Sequence, residues 1–509
     1  MDKENMVKLV TAVTLSFIVL VGSQIFFSKK YPAPATPTPV VQGTPPTADT
    51  NAPSLPALTV EPVYSPKVNG TPVFISTEHF DAAFNADTGD VTMVSLKSYN
   101  VGDTPPTFKR DNGDYATFTA GIANGFSYEV NRTSDGTILT FTAENEQIQV
   151  VKRYTLGDSY HIPMELSVTN LTSTALAIPL KSTVGPGFGS GFDLNKYVFE
   201  GPILHNAAGT EKKRDDKVKS PIVLDKPLWA GYTSKYFLFS IFSEGFERAE
   251  ITKDGNSAVV SLTGTLNVPA VSNAGVESLA LYVGPKIYND LNAYGNGLQK
   301  SIDYGVFFFL GIPMTKVMNF SYGFVHNYGI AIIILTIIVR LCTLPLTIKS
   351  AISMKAMSKL QPEMLALREK HKEEPQKLNA ATMELYRKHK VNPLAGCLPL
   401  IIQLPIFFAL YKSLLVSIEL KGAPFFGWIV DLSVKDPYYI TPVLMGVTMF
   451  LQQKLTPSAM DPAQQRIFLI MPVVFTFLFL NFQSGLVVYW LTNNILSIIQ
   501  QLVINKYKS

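Results

Sequence analysis

Arg340 is the tenth residue of AIIILTIIVRLCTLPLTIKS, residues 331–350, an otherwise apolar run long enough to cross a bilayer. A charge at that depth costs about 2.5–3.5 kcal/mol on insertion scales, so such side chains face polar company instead of lipid. If the helix begins near Tyr328, Arg340 lies roughly 18 Å along it, past the midplane. Thr336, Thr343 and Thr347 flank it at spacings of 4, 3 and 4, which puts all four within an arc of roughly 60°. The segment 438–454 repeats the spacing with Thr441, Met445, Thr448 and Gln452, the last apolar segment carries Tyr489, Asn493, Ser497 and Gln500 on one face, and Gln403 adds an amide to a fourth. This pattern suits a shared hydrated cavity in the membrane, with Arg340 attracting an anion supplied by something else. Helix-to-helix hydrogen bonding, hydroxyls bonded back to their own helix, and a snorkelling arginine are the alternatives. No intramembrane acid is available to Arg340, because Glu419 and Asp431 fall in one connecting loop and Asp461 in another.

Other chemistry is poorly represented. No nucleophile with its base, no paired carboxylates and no nucleotide motif stand out, so catalysis is not expected. Two cysteines, Cys342 and Cys397, and six histidines without HExxH or CxxC spacing give no metal site, disulfide framework or cofactor. Gly185-Pro186-Gly187-Phe188-Gly189-Ser190-Gly191 lacks the Gly-Lys-Ser/Thr of a phosphate loop and reads as a mobile loop. Leu394-Ala395-Gly396-Cys397 lies too far along the chain to be a lipoprotein processing box.

The elements that must position these residues follow from composition and periodicity. The 509-residue chain is 47% hydrophobic and only 16% charged, with a mean hydropathy of +0.18 and a net charge of +4. That balance excludes an ordinary soluble enzyme and a nucleic-acid binder and implies a membrane protein. Val7–Phe27 reads as an uncleaved signal-anchor helix within residues 1–30, and the Pro- and Thr-rich residues 31–58 as a tether. From 59 to 300 short alternating runs, among them Ile162, Met164, Leu166 and Val168, are separated by turns such as Asp87-Thr88-Gly89-Asp90, which predicts an all-β sandwich domain. Residues 301–327 suit an amphipathic helix lying in the interface plane. Five spans are predicted after it, at 328–347, 393–418, 438–454, 466–482 and 486–504. Between residues 348 and 391 there are ten Lys and Arg against five Glu, and Met357, Leu360, Met364, Leu367, Leu378, Ala381 and Leu385 lie at helical spacing. This is a basic helical hairpin, and the positive-inside bias places it and both termini in the cytoplasm, with the β domain outside. Its methionines and basic flanks suit self-packing or the binding of anionic lipid or ribosomal RNA.

Four stretches carry a resemblance: YGIAIIILTIIVRLCTLPLT, VNPLAGCLPLIIQLPIFFALY, DPYYITPVLMGVTMFLQQKL and SGLVVYWLTNNILSIIQQ. In order and spacing, residues 301–506 resemble the Oxa/YidC/Alb family of membrane-protein insertases, and the whole architecture is similar to its Gram-negative members. The resemblance implies a five-helix core around a hydrophilic groove, set in the bacterial inner membrane, with a periplasmic β-supersandwich of carbohydrate-enzyme-like shape that carries no such activity. It places the family arginine on Arg340 and groove contacts on Thr336, Gln403, Tyr489 and Trp490. Thr343, Thr448, Gln452 and Asn493 join them from the stripes above. The implied work is insertion and folding of nascent membrane proteins without nucleotide hydrolysis, alone or beside the Sec translocon. The ribosome and the signal recognition particle receptor are implied partners of the hairpin, and membrane lipids of the helices. Gln483 stands where many relatives have Pro and Trp490 where many have Tyr, and the short end at Lys506–Ser509 carries no basic tail for ribosome tethering. The rival reading is an anion or peptide transporter built on Arg340, against which no internal repeat between spans is visible. A membrane-anchored sugar-binding or sugar-modifying module is a third.

Overall fold

The computed structural model describes residues 72–507, apart from 101–103, 111–112, 121–127, 134–135, 193–196, 244, 372–373, 390, 392–397 and 457–461. The expected signal anchor and tether lie outside the described residues.

Strong period-2 alternation makes residues 72–285 a pair of antiparallel sheets of nine strands each. In the strand His161–Asn170 the side chains of Ile162, Met164, Leu166 and Val168 point inward, none more than 1% exposed, while the residues between them face out. That strand pairs with Ser272–Pro285 near the middle of one sheet, and Leu176–Val184 pairs with Ser257–Val268 near the middle of the other. Their inner faces meet in one core that includes Phe84, Phe141, Tyr154 and Phe239. Burying each such side chain contributes about 1.5–3 kcal/mol. One ion pair is sealed inside: the Lys152 ammonium contacts Asp90 Oδ1 at 2.7 Å and donates to Thr88 O at 2.6 Å, and Asp90 Oδ1 also accepts from the Phe118 N–H. Burial favours neutral lysine, but Asp90, joined by Tyr128 and Asp114, more than offsets it and raises the Lys152 pKa. The glycine-rich segment expected to be mobile is instead packed down. Thr107 donates its N–H to Ser190 O, the Phe188 ring lies tilted and the Phe192 ring edge-on against Phe108, and a Cβ on Gly189 would overlap Thr107 O. Interleaved aromatics hold the loop where its glycines alone suggest freedom.

A short helix α1 (Tyr288–Ala293) leads out of the sheets, followed by α2 (Phe308–Val325), α3 (Tyr328–Lys359), α4 (Gln361–Lys370), α5 (Pro375–Lys388), α6 (Leu398–Val416), α7 (Ile440–Leu455), α8 (Pro462–Phe479) and α9 (Ser484–Tyr507). His326, at φ +49°, ends α2, and the Asn327 side chain caps α3 by accepting from the Ile330 N–H at 3.0 Å. α3 does not stop at residue 347 where the predicted span ends. No Gly or Pro follows until Pro362, so the helix continues to Lys359 and the hairpin proper begins at Gln361. α4 and α5 then pair, with Leu360 and Leu385 buried and the Tyr386 hydroxyl on Met364 Sδ at 3.0 Å.

Two described helices are long and apolar enough to cross a membrane, Tyr328–Lys359 and Ser484–Lys506, while Ile401–Val416 and Leu469–Phe479 are shorter apolar stretches. At 16 residues α7 is roughly 24 Å long, short of a hydrocarbon core of about 30 Å. α9 packs against α3 and α7, α2 against α3 and α6, and α8 against α7. A Cβ on Gly446 would overlap Thr476 Oγ1, so α7 and α8 touch because that position has no side chain. The β domain grips the far end of α6. Ile418 is fully buried in the β core, the Lys421 ammonium reaches Tyr99 O at 2.5 Å, and Lys412 donates to Tyr197 O at 2.7 Å.

Candidate functional site

α9 is the hub of the polar interior, because its polar residues fall on more than one face and reach three neighbours. Toward α6, the buried Tyr489 hydroxyl accepts from Gln403 Nε2 at 2.8 Å. Toward α3, the Asn493 backbone carbonyl accepts from Arg340 Nη2 at 3.4 Å, and Gln500 Nε2 donates to Thr347 Oγ1 at 3.0 Å. Toward α7, Asn494 Nδ2 donates to Met445 O at 3.1 Å and to Thr448 Oγ1 at 3.3 Å.

Arg340 is half-buried, and its Nε is sealed from solvent without a hydrogen-bond partner among the described residues. It makes no ion pair among them either, and its one marked electrostatic neighbour is the Tyr489 phenol. A guanidinium presents five N–H donors, and among the described residues this one meets a single hydrogen-bond acceptor, the Asn493 backbone carbonyl.

The remaining expected residues divide. Gln403, Tyr489, Asn493 and Arg340 converge on one region. Thr336 is 1% exposed and donates to Ile332 O of its own helix at 2.6 Å. Thr343 bonds back to Val339 O and Arg340 O, and Thr448 to Leu444 O and Met445 O. These three hydroxyls are satisfied within their helices, although Thr448 also accepts from Asn494. Gln452 lies half-buried near the end of α7, with no side-chain hydrogen bond among the described residues. Trp490 sits apart from the amides in an aromatic cluster, its ring 4.9 Å from Phe407, 5.1 Å from Phe479 and 5.9 Å from Phe475. It therefore bridges α6 and α8.

Two polar residues were absent from the sequence expectation. Asn494 lies one position past Asn493, so it turns about 100° to meet α7 instead of α3. Asp436, fully buried before α7, accepts from the Thr441 N–H and hydroxyl, both at 2.7 Å, the Tyr438 N–H and Trp428 Nε1. Burial opposes ionisation there, but these donors hold the carboxyl below its usual range. The Asp-Pro-Tyr-Tyr sequence ahead of an apolar run was its available signal.

Helices with apolar outer faces and a shared polar interior, joined to a two-sheet β domain, define a multi-domain membrane protein. A family model described as 60Kd inner membrane protein matches residues 320–509, and one described as YidC periplasmic domain matches residues 73–317. The membrane protein insertase YidC of Syntrophus aciditrophicus (strain SB) is 39% identical, the match covering 99% of this chain and 100% of that protein. The protein of the same name from Geobacter metallireducens is 38% identical over 97% of each chain. A crystal structure described as an active YidC insertase with its first transmembrane domain resolved is 21% identical, covering 89% of this chain and 96% of its own, at a TM-score of 0.39. The chain belongs to the YidC family of membrane protein insertases, inner-membrane proteins with a periplasmic domain.

Proposed function

We propose that this insertase works through five spanning helices, α3, α6, α7, α8 and α9, around a polar groove that receives the hydrophilic flank of a nascent membrane segment. The observation that carries this reading is Arg340, a half-buried cation whose Nε has no partner and which makes no ion pair among the described residues. Arg340, Gln403, Tyr489 and Asn493 form the groove, Thr336, Thr343, Thr448 and Gln452 its walls, and Trp490 the apolar rim. A polar interior shortens the hydrocarbon path for a polar flank, and the cation favours acidic flanks. Partition of about 20 apolar residues into lipid then drives release. No residue here makes or breaks a covalent bond.

The same reading assigns residues 1–30 to a signal anchor, 31–58 to a linker, 59–300 to the periplasmic domain, 301–327 to an interfacial helix and 328–509 to the core, with both termini cytoplasmic. The basic hairpin, 348–391, would meet the ribosome, the signal recognition particle receptor or anionic lipid, and the core would work alone or beside the Sec translocon. Photocrosslinking from positions 340 and 489 to a stalled nascent chain tests the groove, and labelling of lipid alone from both positions would refute it. Uptake of a soluble anion by proteoliposomes, without any effect on insertion of a single-span protein, would favour a transporter instead.

A further inference from the structure

A cavity of about 260 Å³ opens at the corner where α2 turns into α3, beneath the loop that follows α6. Tyr322, His326, Asn327 and Tyr328 line one side, and Glu419, Lys421 and Gly422–Pro424 the other. The rings of Tyr322 and Tyr328 are stacked face to face at 3.9 Å, a firm aromatic wall. Glu419 is the acid of this cavity, and it makes no ion pair among the described residues. Its Oε1 accepts from Asn319 Nδ2 at 3.2 Å, while Asn319 Oδ1 is itself buried without a partner among those residues. Lys421 also lines the cavity, and no ion pair joins it to that acid among the described residues. Its ammonium is committed to Tyr99 O and lies 5.9 Å from the ring centres of both Tyr236 and Phe237. Burial pushes the Glu419 carboxyl above its usual range, the response of an acid without a counter-ion.

The cluster thus offers acceptors, negative charge and aromatic faces, which are the requirements of an ammonium group. Phe320 and Phe324 are 70% and 72% exposed and fall on the face of the same helix turned away from Tyr322, so one face of α2 lines the cavity while the other presents aromatic rings outward. The corner is the start of an apolar spanning helix and so lies at headgroup level under the topology proposed above. We propose that this cavity binds the ammonium of an ethanolamine phospholipid headgroup from the outer leaflet, with Glu419 as its counter-ion and Tyr322 and Tyr328 as its wall.

The test uses the full-length protein released from membranes containing phosphatidylethanolamine and phosphatidylglycerol, with the retained lipids counted by native mass spectrometry. Wild type should retain phosphatidylethanolamine over phosphatidylglycerol, and Glu419→Gln should lower that preference by about tenfold, the loss of one charge-assisted contact. Glu419→Asp should keep part of it. Competition on the wild-type chain decides the matter even if a variant misfolds. Phosphatidylcholine, whose ammonium has no N–H, should displace the bound lipid poorly. Equal retention by wild type and Glu419→Gln at equal melting temperatures would overturn the proposal, as would equal displacement by phosphatidylcholine. Displacement by free ethanolamine at the concentration that suffices for the lipid would show a soluble-amine site instead. The readout is independent of insertion activity, so its failure and failure of the groove reading can be told apart.

Discussion

Ile162, Met164, Leu166 and Val168 of the β domain are at most 1% exposed, whereas Ile470, Val473, Val474 and Phe477 of α8 are 52–68% exposed. The polar residues differ too. The β domain buries a charge with its partner, Lys152 on Asp90, while the helical core half-buries Arg340 with no ion pair among the described residues. One region is built for water outside and oil within, the other for oil outside, with polar groups set among apolar packing within. The inversion teaches that burial in this chain must be judged against each region's own solvent.

The largest effects should come from breaking the paired charge. Lys152→Ala leaves the Asp90 carboxylate buried with the Phe118 N–H but no cation, a loss of about 3–5 kcal/mol. Hydrogen exchange of the full chain in nanodiscs should show protection lost across the strands around residues 85–95 and 148–155, with α3 and α9 unchanged. Loss spread equally over the helices would mean that the two regions do not differ in what stabilises them.

Next comes a charge on each outer face. Val473→Asp sets a carboxylate against lipid at about 2.5–3.5 kcal/mol on insertion scales. Val223→Asp, on an edge strand of the β domain and 38% exposed as valine, should stay within about 0.5 kcal/mol. Yield of membrane-integrated protein and its melting temperature report both. Equal tolerance would put the α8 face in contact with protein instead of lipid.

Arg340 sharpens the comparison at the level of activity. Arg340→Lys should keep most insertion, while Arg340→Ala should slow clients with acidic translocated tails by about tenfold, the scale of one charge-assisted hydrogen bond. Neutral-tailed clients should respond less. Equal insertion by all three proteins, measured by protease protection of both client types, would reduce the charge to a snorkelling cation.

The period-2 runs made the sandwich legible because each buried strand position shows directly in the residue order, as at residues 162–168. The stripe around Arg340 was legible for the same reason at period 3.6. Whether a hydroxyl faces a groove or its own backbone is not encoded in spacing, and Thr336 and Thr343 show the second arrangement. Asn494 was missed because the use of a helix face depends on which helix lies opposite, and α7 reaches α9 from distant sequence. The glycine-rich loop misled for a related reason, since the aromatic rings that pin it come from Phe108 and Tyr232, far along the chain.

The smallest effect concerns pH and separates the regions by chemistry. His205 lies in the β domain, 1% exposed, its ring 5.3 Å from Trp229 and its Nδ1 2.9 Å from Thr210 Oγ1. Burial, helped by Lys300, pushes its pKa down to about 4. A histidine kept neutral in the fold stabilises it fully above the unfolded value of about 6.5, and that contribution is lost as pH falls from there toward 4. Asp114 and Asp215 run the other way: burial raises both to about 6, so each favours the fold more as pH falls through that value. The net slope of wild type is therefore shallow, and the informative quantity is the difference between wild type and His205→Gln. Between pH 7 and pH 5 the wild-type β domain should lose protection relative to the variant, with the helices indifferent. A variant that follows the wild-type slope would shift the titration to another group.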